Sequence, residues 1–209
     1  MQQLFNFIVE GFTSPGSFVM WMILLLGFVI LAIVIERFWF LFIKCGTGSG
    51  SFMAGISKYL KAGDYEKALQ YSSSMSTPLA KAVTAILKKR GQSTKQVQKA
   101  VDEVFLTEGP KVTRNIAIIN IMANLSTMLG LTGTIFGLMM AFNAIANIPA
   151  AQKAAALASG IAVAMSTTLF GLLIALPSLL CQGFLAGKSD KVMEEMDEKT
   201  AKLINLVEE

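Results

Sequence analysis

The run LGLTGTIFGLMMAFNAIA, which begins at Leu129, is apolar enough for hydrocarbon, yet it holds Thr132, Thr134, Gly130, Gly133 and Gly137. A second run, SGIAVAMSTTLFGLLIALP from Ser159, carries Ser166, Thr167 and Thr168 side by side. Hydroxyls of this kind do not titrate near neutral pH, so they serve neither as acid nor as base. They can donate, accept, and replace part of the hydration of a small cation or a file of water. Neither run contains Asp or Glu, and the chain contains no histidine. The remaining carboxylates are scattered without ligand spacing, so no metal site, no bound cofactor and no catalytic constellation is expected. An ion path through a membrane ordinarily needs an ionisable group at depth. If one operates here, another chain supplies the carboxylate.

At 100° per residue, Asn120, Ala123, Asn124, Thr127, Gly130, Thr134, Gly137 and Ala141 fall on one side of a helix. Met122, Leu125, Leu129, Phe136, Met139 and Met140 fall on the other. The later run repeats the arrangement with Gly160, Ala164, Thr167, Thr168, Gly171, Ala175, Ser178 and Gln182. Small residues four apart let helix backbones approach closely, and threonine can bond its own preceding turn. Close packing alone therefore accounts for both strips. The alternative is that they line a shared interior where Thr134, Ser166, Thr167 and Thr168 meet an ion, and Asn120, Thr127, Gly130, Gly137, Ala141, Gly160, Ala164, Gly171 and Ala175 face a partner helix. The two readings are compatible.

Long apolar helices must position these strips. Of 209 residues 54% are hydrophobic and 15% charged, and the mean hydropathy is +0.58. Three runs exceed the ~20 residues needed to cross ~30 Å of hydrocarbon. They predict an all-α membrane protein with spans at 18–43, 114–146 and 156–185. A helical region at 44–113, a tail helix at 186–209, an N-terminal segment at 1–17 and a loop at 147–155 complete the division. The first run is too long and has the wrong flanks for a cleaved leader. QQLFNFIVEGF before it reads as a surface-lying amphipathic helix, and Thr13–Gly16 as a break. Lys and Arg crowd the central region and the tail, while the 147–155 loop has only Lys153. The positive-inside rule then puts the N-terminus outside, the central region and tail in the cytoplasm, and Cys45 and Cys181 near the cytoplasmic face as free thiols. The net charge of +4 reflects that topology rather than a nucleic-acid surface. Glu36 and Arg37 read as an interfacial pair beside an aromatic belt.

The central region reads as short helices forming a small bundle. After the CGTGSGS hinge, helices are expected at 52–62 and 64–72, with Gly63 as a stop and Asp64 as a cap. A third should run from Pro78 to Arg90. A fourth should start at Ser93, with Gln96 completing a capping box, continue to Glu108, meet Gly109-Pro110 and lead into the second span. AGDYEKALQ suggests a helical repeat, but one copy cannot bury a repeat core. The tail places Val192, Met196, Leu203 and Val207 on one face, as in an amphipathic helix that continues the third span.

GLTGTIFGLMMAF resembles the second-span motif of the MotA/TolQ/ExbB proton channel family, and SGIAVAMSTTLFGLLIALP resembles its third-span motif. IERFWFLF and AGDYEKALQ also fit, so the resemblance covers most of the chain in order. Three spans and this length are similar to the ExbB/TolQ branch rather than to four-span flagellar stators of the MotA type. The resemblance implies a homopentameric ring around a central pore in the bacterial inner membrane. Two copies of a single-span ExbD/TolR-like partner would occupy the pore, each with an intramembrane aspartate, and ion flow would drive rotary work across the envelope. Thr134 and Thr168 match the pore threonines of spans two and three. Val163 stands where many ExbB and TolQ sequences have glutamate, which removes a carboxylate relay from this subunit. The Ser166-Thr167-Thr168 run is similar to that of some sodium-driven stators, so proton and sodium both stay open. A MotA-like stator subunit and a non-conducting scaffold for a single-span partner are the alternatives.

Overall fold

The computed structural model describes residues 11–12, 17–45 and 48–208, and among these there is no strand. In chain order the elements are α1 (Phe18–Phe38), a π-helical turn (Trp39–Lys44), α2 (Ser49–Lys61), α3 (Tyr65–Ser73), α4 (Pro78–Lys88), α5 (Thr94–Thr113), α6 (Ile116–Ala144), a 3-10 turn (Ile145–Asn147) and α7 (Ala150–Glu208). Three helical stretches are long and apolar enough to cross a membrane, within Phe18–Lys61, Thr94–Ala144 and Ala150–Leu206. The expected N-terminal surface helix lies largely outside the described residues, as do the Thr13–Gly16 break and part of the CGTGSGS hinge.

The chain divides into two compact units, Met1–Ile35 with Ala117–Gly183, and Glu36–Ile116 with Phe184–Glu209. In the first, α1 buries Val19, Met20, Ile23 and Ile30, and α6 buries Ile119, Ala123 and Ala141. The buried positions of α7 in this unit are small, among them Ala164, Ser166, Thr167, Ala175 and Ser178. Large apolar side chains such as Trp21, Leu25, Phe28, Leu131, Ile135 and Leu180 are exposed on the outside. That inversion is expected where the surrounding solvent is hydrocarbon and the helices are held by packing rather than by water expulsion. Phe12 closes one end, edge-on to Trp21 and Phe170 at 5.2 and 5.3 Å.

The second unit packs neighbours in sequence against one another, α2 on α3, α3 on α4 and α4 on α5. Its core takes Phe52, Ile56, Leu60, Val83, Ile86, Val97 and Val101 from these helices. The α7 tail adds Leu185, Val192, Met196, Leu203 and Ile204. The tail thus continues the third span as one helix, with Val192, Met196 and Leu203 buried, while the side chain of Val207, expected on the same face, lies outside the described residues. Ser49 Oγ donates to Glu195 at 2.8 Å, and Lys199 reaches both Glu195 at 3.0 Å and Ser49 at 2.7 Å. The Glu195 carboxyl is held below its ordinary range, first by the Lys199 hydrogen bond and then by that of Ser49.

Helix ends depart from the sequence reading in three places. Thr77 caps α4 by accepting from Ala80 N at 3.2 Å, ahead of Pro78 at the first helical position, where a missing N–H costs nothing. Asp64 and Ser93 occupy the corresponding positions of α3 and α5, but neither side chain caps. Asp64 instead pairs with Lys67, and Gln96 N bonds the Ser93 backbone carbonyl at 2.7 Å. The helix does not stop at Gly109-Pro110 either. It runs on to Thr113 and breaks at Asn115, whose φ is +61°. Glycine at 109 makes room for α7: a methyl there would stand 3.2 Å from Met193 Cε. Pro110 has no N–H to donate to Leu106, a residue 77% exposed, so the helix passes it with one intrahelical bond fewer.

Candidate functional site

The small faces of α6 and α7 meet each other. An ideal methyl on Gly130 would lie 3.1 Å from both Thr167 O and Thr168 Cα, and one on Gly171 would lie 2.7 Å from Ser126 O. A methyl on Gly137 would stand 2.8 Å from Ala164 Cβ, and one on Gly160 would collide with Ala141. Along this seam the two helices touch backbone to backbone, which only residues without bulk permit. Gly130, Gly137, Ala141, Gly160, Ala164 and Gly171 are all used in this contact within one chain.

Three of the four proposed ion-pathway hydroxyls gather at the centre of the seam. Gly130 O lies 3.1 Å from Thr134 Oγ1, 3.1 Å from Thr167 Oγ1 and 3.0 Å from Thr168 Oγ1. Ala164 O lies 2.8 Å from Thr167 Oγ1 and 3.3 Å from Thr134 Oγ1. Thr134 and Thr168 also bond to each other directly. Three hydroxyls hold three protons, and the two carbonyls together with the Thr134–Thr168 contact can take all of them. What remains to be offered outward is lone pairs, since each hydroxyl oxygen keeps acceptor capacity after donating. The cluster is therefore an acceptor-rich spot at mid-span, suited to a small cation or to the protons of a water molecule.

Ser166 is not part of it. The side chain is fully buried, donates to Val163 O at 2.7 Å, and stands beside Gly11, where a methyl would come within 2.6 Å of its Oγ. Asn120 is exposed and accepts from Asn124 Nδ2 through its own carbonyl at 2.9 Å. Thr127 is half-buried and bonds back to Ala123 O at 3.4 Å. Ala175 is buried at 1% exposure, on the same side of α7 as Gly171.

Ser126 was missed from the sequence. It is completely buried, and its Oγ crosses to Gly171 O at 3.1 Å. Gly133 shares this buried face; a methyl there would stand 2.8 Å from Thr167 Oγ1 and 3.1 Å from Val19 Cγ1. The buried stripe of α6 runs Ile119, Ala123, Ser126, Gly130, Gly133, Ala141, about one residue round from the strip drawn through Asn120, Asn124 and Thr127. The spacing 123, 126, 130, 133 alternates three and four, which is the signal that would have found it.

Arg37 makes the expected pair with Glu36 and has a second role besides. It is 3% exposed, and its Nη1 donates to Lys111 O at 3.0 Å while Nη2 bonds Glu36. Lys111 O is one of the carbonyls left without an intrahelical partner at the end of α5, so the guanidinium caps that terminus and opposes its dipole. Nearby, Glu108 is buried with Lys81 at 2.9 Å and Lys111 at 2.7 Å. Burial pushes its carboxyl upward, but the hydrogen bonds and charges of the two lysines outweigh this and hold it below the ordinary range. Among the described residues, no three His, Cys, Asp or Glu side chains are grouped as for a metal.

Residues 71–198 match the MotA/TolQ/ExbB proton channel family. The chain belongs to that family. Its similar proteins carry ExbB names. A biopolymer transport protein ExbB homolog of Methanothermobacter thermautotrophicus is 24% identical over 193 residues, 92% of this chain and 68% of the relative. ExbB-like 3 of Synechocystis sp. is 26% identical over 159 residues, 75% of each. Biopolymer transport protein exbB1 of Vibrio cholerae is 35% identical over 89 residues, 43% of this chain and 39% of the relative. The matched stretch takes in all of α4, α5 and α6 and most of α7, so both small-residue faces lie inside it. Proteins of this family are channel and transport components, and this chain is a multi-pass member on the ExbB side.

Proposed function

We propose that the chain is the ring subunit of an ion-driven rotary motor of the ExbB–ExbD or TolQ–TolR type in a bacterial inner membrane. In this reading the N-terminus is periplasmic, the bundle and tail are cytoplasmic, and the subunits form a pentamer. A single-span partner places an intramembrane aspartate against α6 and α7. The observation that carries the proposal is the gathering of Thr134, Thr167 and Thr168 around Gly130 O, at mid-span in a seam of small residues. Neither α6 nor the spanning part of α7 contains an acid, so the titrating group belongs to the partner. An incoming ion would neutralise that aspartate. The neutral group could then pass the apolar parts of the wall, where a carboxylate would cost several kcal/mol. The membrane voltage supplies about 2.3 kcal/mol per charge per 100 mV, so a few ions suffice for a mechanical step.

Proton and sodium use the cluster differently. Sodium would take the remaining lone pairs of the hydroxyls as ligands, whereas a proton would pass along a water they orient. The decisive experiment reconstitutes the chain with its partner in vesicles and follows proton or sodium flux for Thr134→Val and Thr168→Val. Valine keeps the volume and removes the oxygen, so flux should fall by at least tenfold while the complex still assembles. Full flux in both variants overturns the proposal. One observation favours a second reading: the small faces are occupied by each other, which is what a scaffold needs and no more. In that case neither wild type nor variants conduct.

A further inference from the structure

Residues Trp39–Lys44 form a π-helical turn, closed by the bond from Cys45 N to Phe40 O at 3.0 Å. Local widenings of this kind recur at functional positions. The turn stacks Phe38 on Phe42 with centroids 4.5 Å apart and sends Leu41 inward to full burial. Trp39, Phe42 and Ile43 are left exposed. Exposed aromatic side chains at the end of a spanning helix belong in the headgroup layer.

Three cations gather on the same turn. Arg37 Cζ is 5.1 Å and Lys44 Nζ 5.8 Å from the centroid of Phe40, and Lys188 Nζ on α7 is 5.5 Å from that of Phe42. Their charges converge on one point, since Lys44, Arg37 and Lys188 all act on the Cys45 thiol, against the single nearby acid Glu108, although burial, the larger effect, pushes that thiol up. Arg37 is already committed to Glu36 and Lys111 O. Lys44 and Lys188 differ from Lys81, Lys111 and Lys199, each of which sits on a carboxylate. Among the described residues neither stands within 4 Å of a carboxylate, although Lys188 is near enough to Glu195 to help lower its carboxyl. A ring face attracts an ammonium without neutralising it.

We propose that Lys44 and Lys188, held over Phe40 and Phe42, bind the phosphate of an anionic phospholipid. Two ammoniums from different segments, neither in a salt bridge among the described residues, suit a phosphate, and basic pockets between spanning helices at the membrane surface are headgroup sites. The exposed Trp39, Phe42 and Ile43 beside them favour a lipid over a soluble anion, because only a lipid brings apolar chains to cover them.

The test is native mass spectrometry of the full-length protein released from nanodiscs of phosphatidylcholine containing a tenth phosphatidylglycerol. Phosphatidylglycerol should be retained well above its share of the bilayer, and retention in proportion to that share would overturn the proposal without any variant. Lys44→Gln with Lys188→Gln should lower retention, roughly fivefold for each lysine, while Lys44→Arg with Lys188→Arg should preserve it. Lys95→Gln with Lys99→Gln, at the other end of α5, removes the same charge and should change nothing. An equal loss in that control pair refutes a specific site. Displacement of the lipid by millimolar inorganic phosphate refutes the lipid as occupant.

Discussion

Gly171→Ala tests whether the seam between α6 and α7 positions the hydroxyl cluster. The new methyl would stand 2.7 Å from Ser126 O and 3.2 Å from Gly130 Cα. A carbon–oxygen contact needs about 3.3–3.6 Å, so the shortfall is roughly 0.6–0.9 Å. Both neighbours are backbone, and neither can turn aside as a side chain would. The helices must therefore separate, at a cost of about 1–3 kcal/mol for overpacking. Separation also lengthens the 3.1 Å bond from Ser126 to Gly171 O and the 3.0 Å approach of Thr168 to Gly130 O. Gly183→Ala is the matched control, because nothing lies within 4 Å of a methyl at that position on the same helix. Unfolding measured in bicelles should show Gly171→Ala destabilised by the stated amount and Gly183→Ala unchanged or slightly more stable. Ion flux with the partner should fall in the first and persist in the second. Equal stability and flux in the two variants would refute the claim that the seam is closed at Gly171.

Other consequences are open to measurement. Asn115 sits at φ +61°, so Asn115→Ala should cost about 1–2 kcal/mol and Asn115→Gly close to nothing, read from the same unfolding assay. Ser126→Ala should cost about 0.6 kcal/mol, the typical worth of one hydrogen bond between spanning helices. Because Glu108 ionises below the ordinary 4.5 when folded, its contribution is complete above that pH and is lost as pH falls through the lowered value. Glu108→Gln should flatten this acid limb and lower stability at neutral pH by about 1 kcal/mol, a hydrogen-bonded charge discounted for the half-exposed lysines. Circular dichroism of wild type and variant between pH 3 and 7 checks the slope.

The three spans were legible in the sequence because hydrocarbon imposes a length and a composition that few other environments demand. The tail helix was legible too, since the period of Val192, Met196 and Leu203 survives into the folded bundle. The small residues of both runs were visible as strips for the same reason: helical spacing is a property of the local backbone. Which residue forms the centre line of a strip was not, because Ser126 and Thr127 differ by one position and both are small and polar. Only the approach of α7 chose Ser126, through the Gly171 carbonyl. Ser166, Thr167 and Thr168 are neighbours in sequence, yet they point about 100° apart along the helix, so packing sent Ser166 towards Gly11 and the threonines to Gly130. Arg37 reads as the interfacial partner of Glu36 and keeps that bond, but only the fold brings the end of α5 onto its guanidinium, and Pro110 reads as a boundary that α5 runs past to Thr113. Composition and period thus declared which segments enter the bilayer and which faces are small. The long-range contacts between α6 and α7, and between the end of α1 and the end of α5, decided which polar atoms meet, because those pairings depend on distances that no local pattern encodes.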